Sequence, residues 1–551
     1  MRHVEEQGSP PPVVRTDAGA VRAAAARLHE ADGTTGSVAA FLGIPFMAPP
    51  VGPLRFASPR PHPPWSGVRP TAGHRPAFLQ PRRGRPPVTG AAPAGTRAED
   101  AVHANVWTPD VAGRRPVLVY VHGGGWEVGT AASPTFDGSR LAEHGDLVVV
   151  TFNYRLGPFG FGLHEHLADP VTGLCANWGL QDQIALVEWV HANIAAFGGD
   201  PENITLCGTS AGGAAVRQLA LLPRLAGAIR RIVPISAAHV WTPVYALEPA
   251  DARTAFEAVA DRLGVDVPGL RTVDAERLLT VWHEYFAHVP AGRPKTSGRW
   301  YRGPVVDGRL IPGQDAHRPV PDLPTLSVVT ATEGSFYTVA ARPSPADGSE
   351  LRAMVRDLLL KGRTDVGERL VDAVVDHYRV CAREAGLPSD PFALYTEIFG
   401  DAMFRHQIVR TAERAARESG APYFLMHFEY EVHPPGHGSP HEATSPFLFG
   451  THAIAQHREA FGDGPLERRV SATLMDLVAS FAHDGTPRSE HAPRWPEFTP
   501  DEPSTMLLGG PDGPRIGSVP KAAQLRFWDS ADWHPRSGES GTAAVTFSAS
   551  W

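Results

Sequence analysis

Two kinds of apolar pattern follow one another through the middle of the chain. Residues 116–121 and 147–152 form short, continuous apolar runs, which are typical of strands buried on both faces. Residues 182–195 carry apolar side chains at helical spacing instead. A third strand at 203–207 then precedes a helix, rich in alanine and glycine, over residues 210–222. This alternation predicts a mostly parallel sheet with helices on its faces.

The outer segments continue the pattern with less regularity. Residues 13–46 predict strands at a sheet edge, and the proline- and glycine-rich residues 59–95 predict a loop. The remaining predicted elements are strands at 231–236, 326–332 and 422–428, helices at 251–288, 351–385 and about 470–483, and a polar tail.

No internal repeat and no change of composition divides the chain, so we expect a single α/β domain over residues 1–551. Its core is expected to span about residues 13–530, with flexible tails on both sides. Helical insertions at about 240–300 and 345–420 are candidate lids.

Composition narrows the classes of partner. The chain has 551 residues, with 51 Lys and Arg against 59 Asp and Glu and a formal net charge of −8. This charge composition therefore gives no reason to expect nucleic acid or an anionic membrane as a partner. No run approaches the ~18 apolar residues that span a bilayer, and the first residues lack the pattern of a secretory signal. We expect a soluble cytoplasmic protein that acts on a small molecule.

The cysteines of the chain are Cys175, Cys207 and Cys381. An odd number without paired spacing fits neither a disulfide framework nor a zinc site. The expectation is a reducing compartment and no metal.

A candidate nucleophile, Ser210, lies in the sequence Gly-Thr-Ser-Ala-Gly at residues 208–212. The pentapeptide alone is a weak signal, because a glycine-rich turn with a serine helix cap has the same residues. Here it joins an apolar strand to a helix of small residues, where a strained turn can lift the hydroxyl off the sheet edge. That context favours a serine nucleophile.

A candidate oxyanion hole precedes the serine in the chain. The sequence His-Gly-Gly-Gly-Trp at residues 122–126 directly follows a predicted strand. Consecutive glycines expose backbone N–H groups, so Gly124 and Gly125, with the N–H of Ala211, would provide three donors to a substrate oxygen. The alternative is a plain glycine turn. Trp126 is a candidate wall of an acyl pocket or, equally, a packed core residue.

With these motifs the chain resembles the type B carboxylesterases of the cholinesterase and carboxylesterase family, which have the α/β-hydrolase fold. The resemblance runs from Val13 to about Trp528. Its other matching segments are residues 41–56, Glu99 and Asp100 with 105–109, 153–160, and 177–183 through 197–201. It implies hydrolysis of carboxylic esters through an acyl-enzyme, without a metal or cofactor.

The acid and the base of a triad are expected after the serine in sequence. Glu333 directly follows a predicted strand, where open α/β sheets place their site residues, and it matches the family's acid position. Asp307 is a rival carboxylate, which the family pattern places away from the triad. The family's histidine lies nine residues before the glycine of a Phe-Gly pair, which implies His441 when counted from Gly450.

A second histidine remains an alternative base. His437 is followed by glycine, as in the family's usual His-Gly dipeptide, but it lies four residues too early unless the loop carries an insertion. The neighbouring histidines expected to be bystanders are His427, His433 and His452.

The chain departs from the family in three places. Thr209 stands where glutamate often precedes the serine, and Ala101 stands where a cysteine is usual. Residues 80–101 contain no aromatic side chain that could bind a choline cation. We therefore expect uncharged alkyl or aromatic esters as substrates, not choline esters.

Several functional alternatives use the same fold. The same triad would serve an amide or carbamate hydrolase, or an acyltransferase or cyclase of a biosynthetic pathway. A non-catalytic binding protein is a third reading. Both a monomer and a homodimer remain open.

Overall fold

The computed structural model describes residues 10–29, 35–81, 96–237, 249–287, 303–313, 318–339, 344–360, 368–434 and 437–530. The two tails expected to be flexible lie outside these residues, as do 238–248 and 288–302 of the first predicted lid insertion.

Within this part of the chain, thirteen strands form one large sheet, and β5 and β6 pair separately. The strands are β1 (Val13–Arg15), β2 (Ala20–His29), β3 (Thr35–Ile44), β4 (Val68–Thr71), β5 (Ala77–Phe78), β6 (Arg97–Ala98), β7 (Ala104–Thr108), β8 (Arg115–Val121), β9 (Val148–Phe152), β10 (Gly199–Thr209), β11 (Ile229–Ile235), β12 (Thr325–Thr330), β13 (Tyr423–Phe428), β14 (Thr505–Leu508) and β15 (Arg515–Gly517).

The sheet order is β1-β2-β3-β7-β9-β8-β10-β11-β12-β13-β14-β15, and β4 pairs with β2. Neighbouring strands are parallel from β9 through to β14. They are antiparallel from β1 through β2, β3 and β7 to β9, and again between β14 and β15. The predicted mostly parallel sheet is confirmed.

The α-helices of the described residues are α1 (Ser139–His144), α2 (Gly157–Gly160), α3 (Trp178–Asn193), α4 (Ala211–Ala220), α5 (Pro249–Leu263), α6 (Ala275–Ala287), α7 (Ser335–Thr338), α8 (Gly348–Leu360), α9 (Glu368–Glu384), α10 (Pro391–Gly400), α11 (His406–Glu418), α12 (Thr444–Leu448), α13 (Arg458–Phe461), α14 (Pro465–Asp484) and α15 (Ala522–Ser530). A π-helical turn, Asp401–Arg405, joins α10 to α11.

Apolar side chains on both faces explain why the central strands are buried. On β8, Val117, Val119 and Val121 pack into a core shared with α3, α4, α5 and α6. Leu118 and Tyr120 of the same strand point to the opposite face, into a core shared with α1 and α14. A strand that is apolar on both sides needs helices on both sides, as in doubly covered parallel sheets.

A third apolar core belongs to the helices after β12. Helices α8 to α11 and α15 pack together around buried residues such as Tyr378 and Trp528, and β12 and β13 contribute Val329 and Leu425. The predicted insertion at 345–420 is therefore helical and packs against the sheet. Its role as a lid stays a prediction.

The prediction of a polar tail after the last long helix is wrong. After α14 the chain returns to the sheet as β14, where Met506 pairs with Met426 of β13, and then adds β15 and α15. The loop prediction for 59–95 also overlooked β4 and β5, and β7 was not predicted. All of these strands have five residues or fewer, which is too short for a clear periodic signal.

Across the described residues, every helix falls short of the length and apolar character needed to cross a bilayer.

Candidate active site

Ser210 occupies a sharp turn between strand β10 and helix α4. Its backbone angles, φ 58° and ψ −124°, lie in a region that residues other than glycine rarely adopt. The Ser210 N–H donates to the carbonyl of Ile235 on β11 at 2.8 Å, which helps to hold the turn. Such strain persists only where the surroundings fix it, and here it presents the serine above the sheet edge.

Glycine at position 212 is required by a neighbouring strand. A Cβ on Gly212 would lie 1.9 Å from the carbonyl oxygen of Val121, at the end of β8. The strand that leads to the glycine loop and the helix that follows Ser210 are therefore in direct backbone contact. This contact joins the two sequence motifs into one unit.

Three buried hydroxyl groups lie behind the nucleophile. The Tyr120 hydroxyl donates to Thr209 Oγ1 at 3.0 Å and lies 3.2 Å from Ser445 Oγ, and the Thr209 and Ser445 oxygens are 3.4 Å apart. Burial raises the pKa of Tyr120 well above its ordinary value, so the phenol stays neutral. We call Tyr120, Thr209 and Ser445 the hydroxyl cluster.

The glycine loop has the conformation that its sequence allows. Gly124 and Gly125 have positive φ angles of 109° and 61°. A Cβ on Gly124 would lie 2.0 Å from the Val128 carbonyl oxygen, whereas one on Gly125 would meet no atom within 4 Å. Among the described residues, no carbonyl accepts a hydrogen bond from the N–H groups of Gly124, Gly125 or Ala211. These donors remain available to a ligand.

Glu333 lies in the turn after β12 and is fully buried. Its Oε1 accepts hydrogen bonds from the Thr330 N–H at 2.8 Å and from the Ser236 hydroxyl at 2.7 Å. Its Oε2 lies 2.5 Å from His441 Nδ1. Burial alone would raise the pKa of Glu333, but His441 and these hydrogen bonds outweigh it and hold the pKa below its usual range. The acid is therefore ionised, and His441 Nδ1–H donates to it.

The His441 ring is buried among aromatic side chains. Its centroid is 4.4 Å from that of Phe404, 5.5 Å from that of Tyr337 and 5.8 Å from that of Phe336. The second ring nitrogen, Nε2, is buried and has no hydrogen-bond partner among the residues that the structure describes. Nδ1 is held by the acid, and Nε2 is left for a proton transfer.

The structure brings the segment after the histidine to the nucleophile. The position that a Cβ on Gly123 would occupy lies 3.0 Å from Glu442 Oε1 and 3.1 Å from Ser210 Cβ. The residue next to His441 is thus a neighbour of Ser210. No hydrogen bond joins Ser210 to His441 in this structure, in which both residues are described.

A buried charged cluster supports the turn that carries Glu333. The Ala331 carbonyl accepts from Lys521 Nζ at 2.9 Å and from Arg405 Nη2 at 3.3 Å. Arg405 pairs with Asp401 at 2.8 Å, and Lys521 pairs with Glu397 at 2.6 Å. Burial would raise the pKa of Glu397, but the two cations outweigh it and keep that carboxyl ionised. We call Glu397, Asp401, Arg405 and Lys521 the charged cluster.

The π-helical turn contacts His441 and the turn of Glu333. Phe404 on this turn contacts the His441 ring, and Arg405, the next residue, reaches the turn of Glu333. π-helical turns inside helices are frequent at functional sites. The positions of His441 and Glu333 therefore both depend on adjacent residues of one π-helical turn.

The remaining candidates lie elsewhere. Asp307 accepts from Asn177 Nδ2 and from the N–H groups of Arg309 and Ile311, so it stabilises a turn. The His437 ring packs 6.0 Å from Phe392, and it is His441 that reaches Glu333.

Trp126 is buried, with 6% of its surface exposed, and its ring is 5.1 Å from that of Phe161. It packs in the core beside the glycine loop. A role in an acyl pocket stays a prediction.

Sequence reasoning missed Ser236, Phe404, Arg405 and Lys521. Ser236 offered one signal, since it directly follows β11, whose carboxyl end meets those of β10 and β12 at one sheet edge. The other three lie in helical or loop segments far along the chain, where nothing in the sequence relates them to Glu333. Among the described residues, no group of three or more His, Cys, Asp or Glu is arranged to hold a metal ion.

Comparison with known proteins shows similarity over almost the whole chain. A model of the carboxylesterase family matches residues 10–528 of the chain. Liver carboxylesterase of Sus scrofa is 31% identical, over 90% of this chain and 89% of its own length. Acylcarnitine hydrolase of Mus musculus is 29% identical, over 96% and 92%, and phenmedipham hydrolase of Pseudarthrobacter oxydans is 30% identical, over 85% and 91%.

Proposed function

Since this chain belongs to the carboxylesterase family and is a carboxylic ester hydrolase, we propose that it works through a covalent acyl-enzyme on Ser210. In this proposal His441 is the general base and Glu333 is the acid that orients it. The observation that carries the proposal is the buried Glu333–His441 pair at 2.5 Å, whose free Nε2 accompanies a strained serine turn.

Acylation follows from the proton positions. As the Ser210 oxygen attacks the ester carbonyl carbon, its proton passes to His441 Nε2, and Glu333 stabilises the imidazolium that results. The imidazolium then gives this proton to the departing alkoxide, which leaves as an alcohol. Catalytic hydrogen bonds often shorten only when the substrate is bound, so a missing serine–histidine bond is compatible with this step.

Deacylation repeats the sequence with water. His441 takes a proton from the water that attacks the acyl carbon, and it returns the proton to the Ser210 oxygen as the carboxylic acid leaves. In both steps the developing oxyanion would accept from the N–H groups of Gly124, Gly125 and Ala211, each of which is worth about 3 kcal/mol of transition-state stabilisation.

The proposed substrates are uncharged alkyl or aromatic esters of small to medium size. The aromatic side chains around His441, Phe336, Tyr337 and Phe404, support this class, because they border the site with apolar surface. We also propose a reducing compartment, in keeping with three cysteines that are all unpaired.

A fluorophosphonate probe and a series of p-nitrophenyl esters of increasing acyl length test the proposal. We expect turnover by the native chain, covalent labelling at Ser210, and a loss of about 10⁶-fold in kcat for Ser210→Ala. Ser480→Ala is the matched control, because the Ser480 hydroxyl bonds only to backbone carbonyls around the end of α14 and to the Arg488 N–H.

The two measurements separate the alternatives. Labelling of Ser210 without turnover of any ester would count against hydrolysis and favour acyl transfer or cyclisation. A folded chain that is not labelled would contradict the nucleophile itself and favour a binding protein.

A further inference from the structure

Glu442 has a backbone conformation that is costly for a glutamate. The residue follows His441 and has φ 70°, in the left-handed region that favours glycine. Strain of this kind costs of order 1–3 kcal/mol, and it collects at functional sites because the surroundings must hold it. The placement of a charged side chain in this conformation calls for a functional reason.

The Glu442 carboxylate lies beside the nucleophile. A Cβ on Gly123 would be 3.0 Å from Glu442 Oε1, 3.1 Å from Ser210 Cβ and 2.7 Å from the Thr209 carbonyl oxygen. Glu442 Oε1 and Ser210 Cβ are therefore at most about 6 Å apart. Only glycine at position 123 leaves room for this approach.

We propose that Glu442 is a positioning residue of the active site, whose carboxylate, close to Ser210, stabilises the protonated imidazole of His441 that forms when the serine attacks. This proposal rests on the proposed function of Ser210 and His441. It also answers a departure noted in the sequence, because Thr209 leaves the nucleophile turn without an adjacent carboxylate and Glu442 brings one from another segment.

Charge accounts for the direction of the effect. Attack by Ser210 creates an imidazolium and an oxyanion together. An opposite charge within ~4–6 Å favours the charged form of an ionisable group, so a carboxylate at the serine favours the imidazolium. The oxyanion would bind at Gly124, Gly125 and Ala211, whereas the Glu442 carboxylate borders Gly123.

The other described ionisable groups around the site leave this role open. Burial keeps Tyr120 neutral by raising its pKa, and burial lowers the pKa of His122 to about 4, so His122 is neutral at pH 7. Among the described residues, Tyr337 lies beside the imidazole, and Arg405 and Lys521 reach the turn of Glu333. Arg405 stabilises Glu333, not the imidazolium.

The decisive variant is Glu442→Gln, which keeps the shape of the side chain and removes its charge. We expect kcat to fall about tenfold, KM to change less than about twofold, and the acid-side midpoint of the kcat/KM pH profile to move down by about 0.5–1 pH unit. The midpoint moves down because His441 loses a charge that favours its protonated form.

Three further variants keep the test independent of folding. Glu442→Asp retains the charge and should keep a midpoint close to that of the native chain. Glu442→Gly relaxes the left-handed backbone, so it should raise Tm while it shifts the midpoint as Glu442→Gln does. Thr209→Glu in the Glu442→Gln chain should return the midpoint toward its native value.

A merely structural role would lower Tm or raise KM without moving the pH midpoint. A native pH midpoint and a native kcat in folded Glu442→Gln would overturn the proposal. That failure is distinct from failure of the proposed function, since Ser210→Ala and His441→Ala would still be inactive.

Discussion

The two ends of the proposed proton path are supported by different chemistry. Behind Ser210 lies the hydroxyl cluster, three neutral groups within 3.4 Å of one another. Behind Glu333 lies the charged cluster, in which two cations and two carboxylates pair at 2.6–2.8 Å and both cations reach the Ala331 carbonyl. Both clusters are largely removed from water, yet only one of them carries charge.

The difference follows the charge that each catalytic group carries before the reaction. A serine hydroxyl is neutral until it attacks, so its support needs to fix only geometry. Glu333 is buried and ionised throughout, so its surroundings must offset the cost of a buried charge.

The charge balance supports this interpretation. Glu333 and the charged cluster together hold three carboxylates and two cations. Protonation of His441 supplies the third cation, so His441, Glu333 and the charged cluster together approach neutrality when the imidazolium forms. Glu442 is not part of this count. An environment whose charges complement the transition state, and not the resting enzyme, lowers the activation barrier of the reaction.

The largest effect on kcat is expected when Glu333, at the charged end of the proposed proton path, is neutralised. In Glu333→Gln, kcat should fall about 10³–10⁴-fold, because the amide cannot stabilise the imidazolium and can hold the ring in the wrong tautomer. Steady-state kinetics with a p-nitrophenyl ester measures this loss. Asp307→Asn is the matched control and should stay within about threefold of the native kcat, since Asp307 only stabilises a turn.

The next largest effect is expected when the charged cluster that supports Glu333 loses one of its cations. Arg405→Met removes one cation and leaves the buried Asp401 without its cationic partner, so the free energy of unfolding should fall by about 3–5 kcal/mol. Urea unfolding measures this change. Arg410→Met, which removes a half-exposed guanidinium paired with Glu413 and Asp529, should cost no more than about 1 kcal/mol. Equal losses in the two variants would contradict a special role for the charged cluster.

The smallest effect is expected at the neutral end. Thr209→Val keeps the shape of the side chain and removes one hydroxyl from the hydroxyl cluster, which should cost about 1 kcal/mol of stability and less than about threefold in kcat. Thr205→Val on the same strand is the control. Its buried hydroxyl has no hydrogen-bond partner in the described part of the chain, so its removal should be neutral or stabilising. A loss in kcat as large as that of Glu333→Gln would remove the contrast between the two ends.

Much of the central fold could be predicted because its signals are long and regular. Strand β8, helix α3 and helix α4 end within a few residues of their predicted bounds, since continuous apolar runs and helical spacing leave few alternatives. Strands β7 and β14 could not be predicted, because segments of four or five residues gain their structure from the neighbouring strands.

Some residues of the candidate site could likewise be predicted from the sequence, and others could not. Ser210, Gly124 and Gly125 lie in local motifs that can be recognised from the sequence. Glu333 and His441 depended on chain order and on resemblance, and their roles stay predictions. Lys521 could not be found, because its role depends on a carbonyl that tertiary folding alone brings to it.

The contact between Gly212 and the Val121 carbonyl bears on how the pentapeptide should be read in descendants of this chain. A larger residue at 212 would displace a strand end, whatever reaction the protein catalyses. Selection for a stable fold would therefore preserve this glycine even in a lineage that had given up catalysis. In such sequences a glycine at position 212 would indicate common ancestry and the same packing. Only a serine at position 210 would indicate that catalysis is retained.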